Sequence, residues 1–444
     1  QIMIKYDLLV IGFGKAGKTL AATFGNEGKK VAVVEESSEM YGGTCINIGC
    51  IPTKTLIVAA DNKKDFKEAK ATRDTVVSKL NAKNFAMLDN NPNIDVYTAS
   101  AKFVSNKVVE ISIDGETKQL EGDVVVINTG AKNNVLPIPG LTTSKNVYDS
   151  TQFQKLESTP KTLGIIGGGN IGIEFANLYA RFGVDVTVID FAPTVLGRED
   201  KDIAEMAKGY LEEAGVTFKL GTATKEIRNN GEKVVVDTEK YGELEFDALL
   251  HATGRRANTE NLGLENTDIK VNERGFIEVD DYCQTNVENV FAVGDVNGGL
   301  QFTYVSLDDF RVVNGYLHGN KEYTRANRKN VPYSTFISPV LSHVGFHQAE
   351  AEENYSNVAV ASLPVANMPR GAVNQDQRGI YKVIVDKDTN LILGATLFGK
   401  NSEEIINIIK MAIDNKIPYT YLKDQIFTHP TMAENLNDVF KLIK

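Results

Sequence analysis

Residues 6–17 read YDLLVIGFGKAG, a short apolar run that ends in a glycine turn at Gly12, Gly14 and Gly17. A helical stretch follows, and then a second apolar run, residues 31–34, that ends in Glu35. Strand, glycine turn, helix, strand and acid in this order are typical of a dinucleotide-binding unit. A single G-x-G-x-x-G is weak support, so the prediction depends on whether the same context recurs.

The context recurs in the middle of the chain. Residues 162–166 form an apolar run before Gly167, Gly169 and Gly172, and residues 184–189 form another run that ends at Asp190. The third glycine stands at the same distance from the acid in both copies. Two copies with a matching acid predict two bound dinucleotides.

Both copies have the same physical basis. The first glycine allows a tight turn, the second lets a pyrophosphate approach the backbone, and the third lets the helix pack on the strand. Backbone N–H groups and the positive end of the helix dipole then hold the phosphates. We expect Glu35 or Asp190 to accept a hydrogen bond from a ribose hydroxyl.

Composition excludes several classes of protein. The 444 residues, 42% hydrophobic and 24% charged, describe an ordinary globular chain of about three domains. The 58 acidic residues outnumber the 48 basic ones and neither sign forms a long block, so we expect no nucleic-acid partner. No run approaches the roughly 18 apolar residues of a membrane span and no signal peptide is evident, so we expect no membrane partner and a cytoplasmic location.

Cys45 and Cys50 form a C-x-x-x-x-C pair, and the three cysteines are too few for a disulfide framework or a four-cysteine zinc site. The pair stands at the entry of a predicted helix that holds Pro52 in its first turn. A helix N-terminus lowers the pKa of a thiol and favours the nucleophilic thiolate. The pair can therefore form a reversible disulfide, with two merely packed cysteines as the alternative if the pair stood by itself.

These motifs resemble those of the pyridine-nucleotide-disulfide oxidoreductases, the group of dihydrolipoamide dehydrogenase, glutathione reductase and mercuric reductase. The resemblance runs from end to end and is carried by GGTCINIGCIPTK (42–54), GGGNIGIE (167–174), HATGRRANT (251–259), FAVGD (291–295) and HPTMAE (429–434). The finer match, in IGFGKAGKTLA, MYGGTCINIGCIPTKT, GGLQFTYVSLDD and DQIFTHP, is to the reactive-chlorine-resistance branch, which is associated with copper(II) reduction.

The resemblance implies an α/β fold with two Rossmann-like dinucleotide-binding domains, one for FAD and one for NAD(P), and a C-terminal α+β dimerisation domain. We predict an FAD domain with the cysteine pair over residues 1–150 and an NAD(P) domain over residues 151–270. A return segment over residues 271–330 would complete the FAD domain, and residues 331–444 would form the interface of a homodimer.

The resemblance also implies cofactor contacts. The residues expected to bind FAD are Gly12, Gly14, Gly17, Glu35, Gly43, Thr44, Gly130, Gly294 and Asp295. The residues expected to bind the nicotinamide cofactor are Gly167, Gly169, Gly172, Asp190 and Gly254. Asp190 is negative where a 2′-phosphate would lie, so we predict NADH, with Arg198 keeping NADPH possible.

Catalytic roles follow from the same resemblance. Cys50 would lie against the flavin as the charge-transfer thiolate, and Cys45 would be the outer thiol that meets the substrate. Lys54 and Glu174 would form an ion pair close to the flavin and the nicotinamide.

His429, oriented by Glu434, would come from the partner chain as acid/base for the thiols, so that the active site would exist only in a dimer. Taken from the residues alone, this histidine is either exposed or half of an acid/base dyad.

The remaining candidates are weaker. His343 and His347 have i,i+4 spacing, but Gly345 between them predicts a strand-to-helix transition rather than a shared metal face. We expect His251 to pack within a strand and Cys283, in a polar stretch, to be an incidental thiol.

One position departs from the family pattern. Asn170 stands where many relatives carry a tyrosine that covers the flavin, which puts gating by an aromatic ring in doubt.

The predicted function is that of an FAD enzyme that passes electrons from NAD(P)H through the flavin and the Cys45–Cys50 disulfide to an acceptor. A metal ion such as Cu(II), bound transiently by Cys45 and Cys50, is preferred, because a compact ion needs only thiolates and an open path. The chain ends at Lys444 without the vicinal cysteines of mercuric reductase, so efficient mercury turnover is not expected.

Two alternatives stay open. One is a reductase of a small or protein disulfide, similar to dihydrolipoamide dehydrogenase. The other is a redox sensor without turnover, in which the cysteine pair switches conformation for a partner. The intact pairs Lys54 with Glu174 and His429 with Glu434 argue against a sensor, which needs no hydride path.

Overall fold

The computed structural model describes residues 2–444. The first segment of the chain, up to Val135, begins the fold with a glycine turn between its first strand and its first helix. Its strands are β1 (Ile2–Ile11), β2 (Val31–Glu35), β3 (Ile94–Thr98), β4 (Ala101–Ser105), β5 (Val108–Ile113), β6 (Glu116–Ile127) and β7 (Ala131–Asn133). Its helices are α1 (Lys15–Asn26), α2 (Thr44–Asn47), α3 (Cys50–Asp61) and α4 (Phe66–Asp89).

The second segment, Leu136–Thr253, repeats the strand, turn and helix order. Its strands are β8 (Val147–Asp149), β9 (Thr162–Ile166), β10 (Asp185–Ile189), β11 (Val216–Lys219), β12 (Thr224–Asn230), β13 (Lys233–Thr238), β14 (Gly242–Phe246) and β15 (Ala248–His251). Its helices are α5 (Ser150–Phe153), α6 (Asn170–Arg181) and α7 (Lys201–Glu213).

The third segment, Gly254–Asn327, contains β16 (Arg255–Ala257), β17 (Val290–Ala292) and α8 (Thr303–Leu317). The fourth, Arg328–Lys444, is the C-terminal part of the fold. Its strands are β18 (Tyr333–Thr335), β19 (Leu341–Gly345), β20 (Val358–Pro364), β21 (Ile380–Asp386) and β22 (Leu391–Phe398). Its helices are α9 (Gln348–Asn354), α10 (Pro369–Val373), α11 (Ser402–Asp414), α12 (Tyr419–Asp424) and α13 (Asn435–Lys441).

The four segments form two compact units. The first unit combines the chain up to Val135 with Gly254–Asn327, and the second combines Leu136–Thr253 with Arg328–Lys444. The chain therefore leaves the first unit after β7 and returns to it at β16, where β16 pairs with β7 in an antiparallel ribbon.

A largely parallel sheet forms the centre of the first unit. Its strand order is β3-β2-β1-β6-β5-β4, and β17 pairs in parallel with β6. Leu8 and Val10 of β1 pack into one hydrophobic cluster, while Leu9 and Ile11 pack into another on the opposite face. Such burial on both faces is expected for the strands of a parallel sheet that is covered on both sides. The carboxyl end of β1 leads directly into the first glycine turn.

The second unit contains a parallel sheet and an antiparallel one. The parallel sheet has the order β11-β10-β9-β15-β8, and its strand β9 leads into the second glycine turn. The antiparallel sheet of the C-terminal part has the order β18-β19-β22-β21-β20, and residues of α11 and α13 share a hydrophobic cluster with it. The α/β class and the two parallel dinucleotide-type sheets predicted from the glycine motifs are thus confirmed.

The structure adds two points of local detail. The helix that begins at Cys50, α3, ends at Asp61, and Asp65 then caps the separate helix α4 by accepting a 2.9 Å hydrogen bond from the backbone N–H of Glu68. Cys283, predicted in a polar stretch, is fully buried in the hydrophobic cluster that contains Val10.

Candidate active site

The cysteine pair lies where α2 gives way to α3. Cys45 is on α2 and half-buried, and Cys50 is the exposed first residue of α3, whose N-cap is Gly49. A side-chain hydrogen bond joins the two thiols, and the Thr303 side chain and the Ile51 backbone also hydrogen-bond to Cys45. The structure therefore brings the two predicted redox residues into direct contact.

The surroundings of Cys45 favour its thiolate. The hydrogen bond from Cys50 lowers the pKa of Cys45 most, burial opposes it, and the hydrogen bonds from Thr303 and Ile51 bring the pKa down to about 6. A thiol with this pKa is mostly deprotonated at neutral pH, which is the form that attacks disulfides and binds soft metal ions. Thr303 begins α8 and was not predicted as a site residue, since only its contact with a distant cysteine reveals it.

A second set of polar contacts holds the cysteine loop in place. The amide of Asn47 donates 2.8 Å hydrogen bonds to the carbonyls of Tyr41 and Gly43, which both precede α2. Asn81 on α4 donates in turn to Oδ1 of Asn47 at 3.0 Å. Helix α4 therefore stabilises the cysteine loop through this hydrogen bond. The sequence of α4 did not predict a contact with the loop.

Lys54 and Glu174 lie on different helices. Lys54 is on α3 one turn beyond Cys50, on the same helix face. Glu174 is on α6, and its Oε1 accepts a 3.2 Å hydrogen bond from the backbone N–H of Phe336. The two residues belong to different units of the chain, and their ion pair stays a prediction.

The first glycine turn packs too closely against its neighbours to accept side chains. Gly12 has a φ of 104°, and a Cβ there would lie 2.1 Å from the carbonyl oxygen of Asn128. A Cβ on Gly14 would lie 2.5 Å from Nδ2 of Asn128, and one on Gly17 would lie 2.8 Å from Val10. All three predicted glycines are thus required by close packing, as the dinucleotide interpretation demands.

The other predicted FAD residues gather around the same turn. A Cβ on Gly43 would lie 2.7 Å from Cα of Gly14, and one on Gly130 would lie 3.8 Å from Oγ1 of Thr44. A Cβ on Gly294 would lie 3.0 Å from Oδ1 of Asn128. The structure therefore brings the cysteine loop, the first glycine turn and the return segment to one place.

The polar atoms at this place fit a dinucleotide. Among the described residues, Nδ2 of Asn128 and Oγ1 of Thr129 are buried without a hydrogen-bond partner, which is costly unless a ligand supplies one. Burial raises the pKa of Glu35, at the end of β2, to about 7, despite hydrogen bonds from backbone N–H groups such as that of Ser37. A ribose hydroxyl and phosphate oxygens would satisfy these groups.

Asp295 is held in the return segment beside the glycine turn. Gly294 donates its backbone N–H to Oδ2 of Asp309 at 2.8 Å, which fixes the short helical turn that contains Asp295. Burial raises the pKa of Asp295, the cation of Arg255 lowers it, and the charge of Asp309 raises it further. Asp295 is half-buried, and its carboxyl group can accept hydrogen bonds from a ligand's hydroxyl groups.

The second glycine turn repeats this construction in the second unit. Gly167 has a φ of 118°, and a Cβ there would lie 2.2 Å from the carbonyl oxygen of Ala252. A Cβ on Gly172 would lie 2.0 Å from the carbonyl oxygen of Gly167, whereas the space around Gly169 is open. This open glycine precedes α6, where a pyrophosphate can approach the backbone.

Asp190 directly follows β10 and faces the turn. Its Oδ2 accepts a 3.1 Å hydrogen bond from the backbone N–H of Gly168. Gly254, where the chain re-enters the first unit, has a φ of 96° and open space around its Cα. Arg198, which kept NADPH possible, lies with its guanidinium 4.8 Å from the ring centre of Tyr333.

His429 and Glu434 lie together in the C-terminal part. Nδ1 of His429 is 2.6 Å from Oε1 of Glu434, and Oε2 of Glu434 accepts a 2.7 Å hydrogen bond from the backbone N–H of Thr431. Burial raises the pKa of Glu434, but the hydrogen bonds from His429 and Thr431 outweigh burial and lower it overall. The His429 side chain is 67% exposed, so the ring is accessible to a partner molecule.

A histidine pair in the second unit was not predicted as a cluster. The rings of His343 and His347 stack with centroids 3.7 Å apart, at the transition from β19 to α9. His347 lies 3.6 Å from Glu199, whose carboxylate also accepts a 2.6 Å hydrogen bond from Tyr333. Burial and the neighbouring His347 lower the pKa of His343 to about 4.

The carboxylates beside this pair set the charge of His347. Burial lowers the pKa of His347, but hydrogen bonds and charge from Glu199 and Glu350 outweigh burial and raise it overall. Among residues 2–444 no group of three or more His, Cys, Asp or Glu side chains is arranged to hold a metal ion.

Both matching family models belong to one family. Residues 6–309 match the model described as pyridine nucleotide-disulphide oxidoreductase, and residues 331–440 match the dimerisation domain of the same family. None of the helices in the described part of the chain combines the length and the apolar character that crossing a bilayer needs.

Curated relatives agree with the models over the whole length. The chain is 48% identical over 442 residues to the probable pyridine nucleotide-disulfide oxidoreductase RclA of Escherichia coli, covering 100% of both chains. It is 32% identical to a dihydrolipoyl dehydrogenase of Corynebacterium glutamicum, covering 98% of this chain and 97% of the relative. It is 30% identical to a mercuric reductase of Staphylococcus aureus, covering 97% of this chain and 81% of the relative.

Solved structures of RclA share the fold. The Cu(II) complex of the HOCl-induced flavoprotein disulfide reductase RclA from Escherichia coli superposes with a TM-score of 0.97 at 47% identity, covering 99% of this chain and 100% of that one. A second solved structure, the HOCl-induced flavoprotein disulfide reductase RclA from Escherichia coli, superposes with a TM-score of 0.96 at 48% identity, covering 99% of this chain and 100% of that one.

Proposed function

The chain belongs to the pyridine nucleotide-disulphide oxidoreductase family, and from this premise we propose that it is a reductase of Cu(II) that acts in defence against oxidative and reactive chlorine stress. The chain is an NAD(P)H-dependent flavoprotein reductase with FAD as its cofactor. The copper substrate and the stress setting rest on the similarity to RclA of Escherichia coli, an HOCl-induced flavoprotein disulfide reductase whose structure is known as a Cu(II) complex.

We assign FAD to the first unit and the nicotinamide cofactor to the turn between β9 and α6. When bound, FAD would supply the redox chemistry that links NAD(P)H to the cysteine disulfide. The residues assigned to FAD are Gly12, Gly14, Gly17, Glu35, Gly43, Thr44, Gly130, Gly294 and Asp295. Those assigned to the nicotinamide cofactor are Gly167, Gly169, Gly172, Asp190 and Gly254, with NADH preferred because Asp190 would repel a 2′-phosphate.

The contact between Cys45 and Cys50, in which Cys45 has a pKa of about 6, is the structural observation that carries the proposal. A thiolate that is half-buried and hydrogen-bonded to a second thiol can bind a soft or borderline metal ion at neutral pH. In the proposed step Cys45 and Cys50 close a disulfide, two Cu(II) ions become two Cu(I) ions, and any thiol protons are released. Cys50 would be the thiol next to the flavin and Cys45 the thiol that meets copper.

A homodimer is supported by the dimerisation domain at residues 331–440. We propose that His429, which Glu434 orients, serves the cysteine pair of the partner copy as acid/base. Its exposure supports this role, because a side chain that acts across an interface must be accessible on its own chain.

Parallel acceptors test the proposal. NADH oxidation by the purified holoenzyme would be measured with Cu(II), Hg(II), lipoamide and glutathione disulfide, for the wild type, Cys45→Ala and Cys283→Ala. We expect a Cu(II)-dependent rate in the wild type and in Cys283→Ala, whose thiol lies in the core, and a loss of about tenfold or more in Cys45→Ala. Strong lipoamide turnover with no metal-dependent rate would overturn the copper assignment.

A disulfide reductase of the dihydrolipoamide dehydrogenase type is the second candidate. The contact between His429 and Glu434 favours it, because a thiol substrate must exchange protons whereas a metal ion need not. The 32% identity to dihydrolipoyl dehydrogenase points the same way. The acceptor panel separates the two candidates directly.

A further inference from the structure

The segment that follows Asp190 connects the second glycine turn to α7. Asp190 itself accepts a hydrogen bond from the backbone N–H of Gly168 at 3.1 Å. Val195, further along this segment, is buried, and a Cβ on Gly168 would lie 3.4 Å from Cγ1 of Val195. We call residues 191–199 the Asp190 loop. Its position contributes to the shape of the turn, because Val195 lies beside the glycine that holds Asp190.

The end of the Asp190 loop at Glu199 has a conformation that needs support from its surroundings. The backbone N–H of Glu199 donates a 2.9 Å hydrogen bond to the carbonyl of Leu196. Leu196 has a φ of 51°, which is uncommon for a residue that carries a side chain. The Glu199 side chain is only 4% exposed. A buried carboxylate is unfavourable unless hydrogen-bond donors and a counter-charge accompany it.

Two residues of the C-terminal part supply these partners. The hydroxyl of Tyr333, on β18, donates a 2.6 Å hydrogen bond to Oε1 of Glu199. Nε2 of His347, the N-cap residue of α9, lies 3.6 Å from Oε2 of Glu199 and 3.2 Å from the Tyr333 hydroxyl. We call Glu199, Tyr333 and His347 the anchor cluster, because it joins the end of the Asp190 loop to the C-terminal part of the fold.

His343 supports the anchor cluster from the neighbouring strand, β19. It is paired with Tyr333 across the sheet, and its ring stacks on that of His347 with centroids 3.7 Å apart. Nδ1 of His343 lies 2.8 Å from Oγ1 of Thr396, and Nε2 lies 2.8 Å from the carbonyl oxygen of Gly345. Both ring nitrogens of His343 therefore have partners, so that this ring offers a fixed surface against which His347 packs.

Charged groups on either side of the anchor cluster also contact the C-terminal part. The guanidinium of Arg198 lies 4.8 Å from the ring centre of Tyr333. Asp200 lies 2.8 Å from Nζ of Lys382, which is buried on β21. The contacts of His347 differ from these, because a histidine changes its charge near neutral pH.

We propose that Glu199, Tyr333 and His347 are positioning residues for the nicotinamide cofactor. They anchor the Asp190 loop beside the second glycine turn, so that the affinity for the cofactor depends on the charge of His347. The proposal deepens the proposed function, since it rests on the assignment of this cofactor to the second glycine turn. The effect acts through the loop, and no contact between the anchor cluster and the cofactor is required.

The direction of the pH dependence follows from the groups around His347. Burial lowers the pKa of His347, but hydrogen bonds and charge from Glu199 and Glu350 outweigh burial and raise it overall. Burial and the neighbouring His347 lower the pKa of His343 to about 4, so that His343 is neutral near neutral pH. The charged and titratable groups that face His347 are Glu199 and Asp200 before α7, Glu350 on α9, Tyr333 on β18 and His343 on β19.

Protonated His347 therefore pairs with Glu199 at pH values up to the raised pKa of the histidine. Above this pKa the histidine is neutral, and Glu199 remains a buried carboxylate that has lost its counter-charge. The anchor cluster is then weaker, so the affinity for the cofactor is expected to fall as the pH rises.

Two variants remove the contact between the loop and the histidine from opposite sides. His347→Asn removes the group that titrates and keeps a residue type that caps helices well, as α9 requires. Glu199→Gln removes the carboxylate charge and keeps an oxygen that accepts from Tyr333. Using both keeps the test decisive if one of them fails to fold. His318→Asn is the matched control, since His318 is a histidine of the first unit whose Nε2 lies 2.8 Å from Glu27.

The probe is ADP-ribose, which carries the adenosine, pyrophosphate and ribose of the cofactor and no nicotinamide. Its binding to the oxidised holoenzyme would be measured by isothermal titration calorimetry between about pH 6 and pH 9. No hydride is transferred, so the measurement reports affinity alone. Steady-state kcat and KM with NADH would be measured on the same variants with ferricyanide as the acceptor.

We expect the wild-type Kd for ADP-ribose to rise about threefold to tenfold across this range, the factor that about half a unit to one unit in the pKa of His347 represents. His347→Asn and Glu199→Gln should bind more weakly by about that factor near pH 6 and should lose this pH dependence. Their KM for NADH should rise by the same factor with kcat within about twofold, because the loop acts on binding and not on the reacting atoms. His318→Asn should follow the wild type.

A folded His347→Asn or Glu199→Gln variant with the affinity and the pH dependence of the wild type would overturn the proposal. Folding would be checked by circular dichroism and by flavin absorbance. A loss of kcat as large as the rise in KM would also contradict it, since general destabilisation would then explain the effect.

Asp190→Ser distinguishes this failure from a failure of the proposed function. If Asp190→Ser loses affinity for ADP-ribose and the anchor variants do not, the cofactor assignment stands and the anchor cluster has no role in binding. If Asp190→Ser binds ADP-ribose like the wild type, the cofactor is not bound at this turn and both proposals are wrong.

Discussion

Nδ1 of His429 lies 2.6 Å from Oε1 of Glu434, and Oε2 of the same carboxylate accepts a hydrogen bond from the backbone N–H of Thr431. Both carboxylate oxygens of Glu434 are thus hydrogen-bonded. Glu434 orients the imidazole through Nδ1, while most of the His429 side chain remains exposed. This arrangement is that of a histidine oriented by an acid, in which the carboxylate also stabilises the protonated ring.

The first prediction concerns this pair. We expect His429→Gln to lower turnover of lipoamide or another disulfide by roughly a hundredfold, because general acid/base catalysis is worth about that much. The Cu(II)-dependent rate should stay within about threefold, since a thiol with a pKa of about 6 needs no base at neutral pH. Steady-state rates with both acceptors give the answer.

His318→Gln is the matched control for this prediction. His318 is another exposed histidine with a glutamate partner, since its Nε2 lies 2.8 Å from Glu27. It should leave both rates unchanged. Equal losses with copper and with the disulfide in His429→Gln would contradict the separation of roles.

The second prediction concerns the hydroxyl of Thr303. Thr303→Val removes one of the hydrogen bonds that lower the pKa of Cys45, so the pKa should rise by about half a unit to one unit. Alkylation of Cys45 as a function of pH measures the change. Thr55→Val, which removes a hydroxyl bonded to the Ile51 carbonyl on α3, should leave the titration in place. An unshifted midpoint in Thr303→Val would show that the threonine does not contact the thiolate.

The third prediction is a loss of stability in acid that originates at His343. Burial and His347 hold the folded pKa at about 4, below the usual 6.5, so between these values the unfolded chain binds a proton that the folded chain does not. Stability therefore falls as the pH drops through this window, by up to about 3 kcal/mol. The raised pKa of His347 acts with the opposite sign, and its contribution is lost as the pH rises through its folded pKa.

Urea unfolding at about pH 7 and pH 4.5 measures this effect, because the free energy of unfolding is obtained at each pH. His343→Gln should lose less stability between the two pH values than the wild type. His318→Gln should keep the acid sensitivity of the wild type, because His318 is exposed and its pKa is raised. The same loss in His343→Gln and in the wild type would assign the acid sensitivity to other groups.

The fourth prediction concerns the choice of nicotinamide cofactor. Asp190→Ser should raise the KM for NADH about tenfold with little change in kcat, because a ribose contact is lost while the reacting atoms are untouched. The KM for NADPH should stay constant or fall. Asp185→Ser, at the exposed opposite end of β10, provides the control. A wild-type enzyme that prefers NADPH would contradict the assignment of Asp190.

Sequence patterns predicted the features that are local in the chain. The two glycine turns, Glu35, Asp190 and the cysteine loop depend on residues within one strand–turn–helix unit, and their spacing is visible in the sequence. The contact between His429 and Glu434 is also local, five residues apart within one turn and helix start. Asp65 followed by Glu68 was a capping signal that could have located the break between α3 and α4.

Contacts between distant segments were not predictable in this way. Thr303 reaches Cys45 from α8, and Asn84 reaches Lys18 from α4. The rings of His343 and His347 can stack only because the chain turns at Gly345 between them. From the sequence, their i,i+4 spacing was considered only as a possible metal-binding face, and stacking was not predicted. Such pairs carry no periodicity or spacing of their own, because tertiary packing alone brings them together.

The domain boundaries at residues 150, 270 and 330 stay predictions. The catalytic roles of Lys54 and Glu174 also stay predictions. Rates of Lys54 and Glu174 variants would test them.

The most direct test of copper reduction by the cysteine pair is a single turnover without oxygen. Pre-reduced enzyme, freed of excess NADH, would be mixed with Cu(II) while Cu(I) formation and the loss of Cys45 and Cys50 thiols are counted per subunit. The pair can deliver two electrons, so we expect two Cu(I) ions for each disulfide closed and no fast phase in Cys45→Ala. Copper reduction at the wild-type rate in Cys45→Ala, or with both thiols still present, would contradict the central claim.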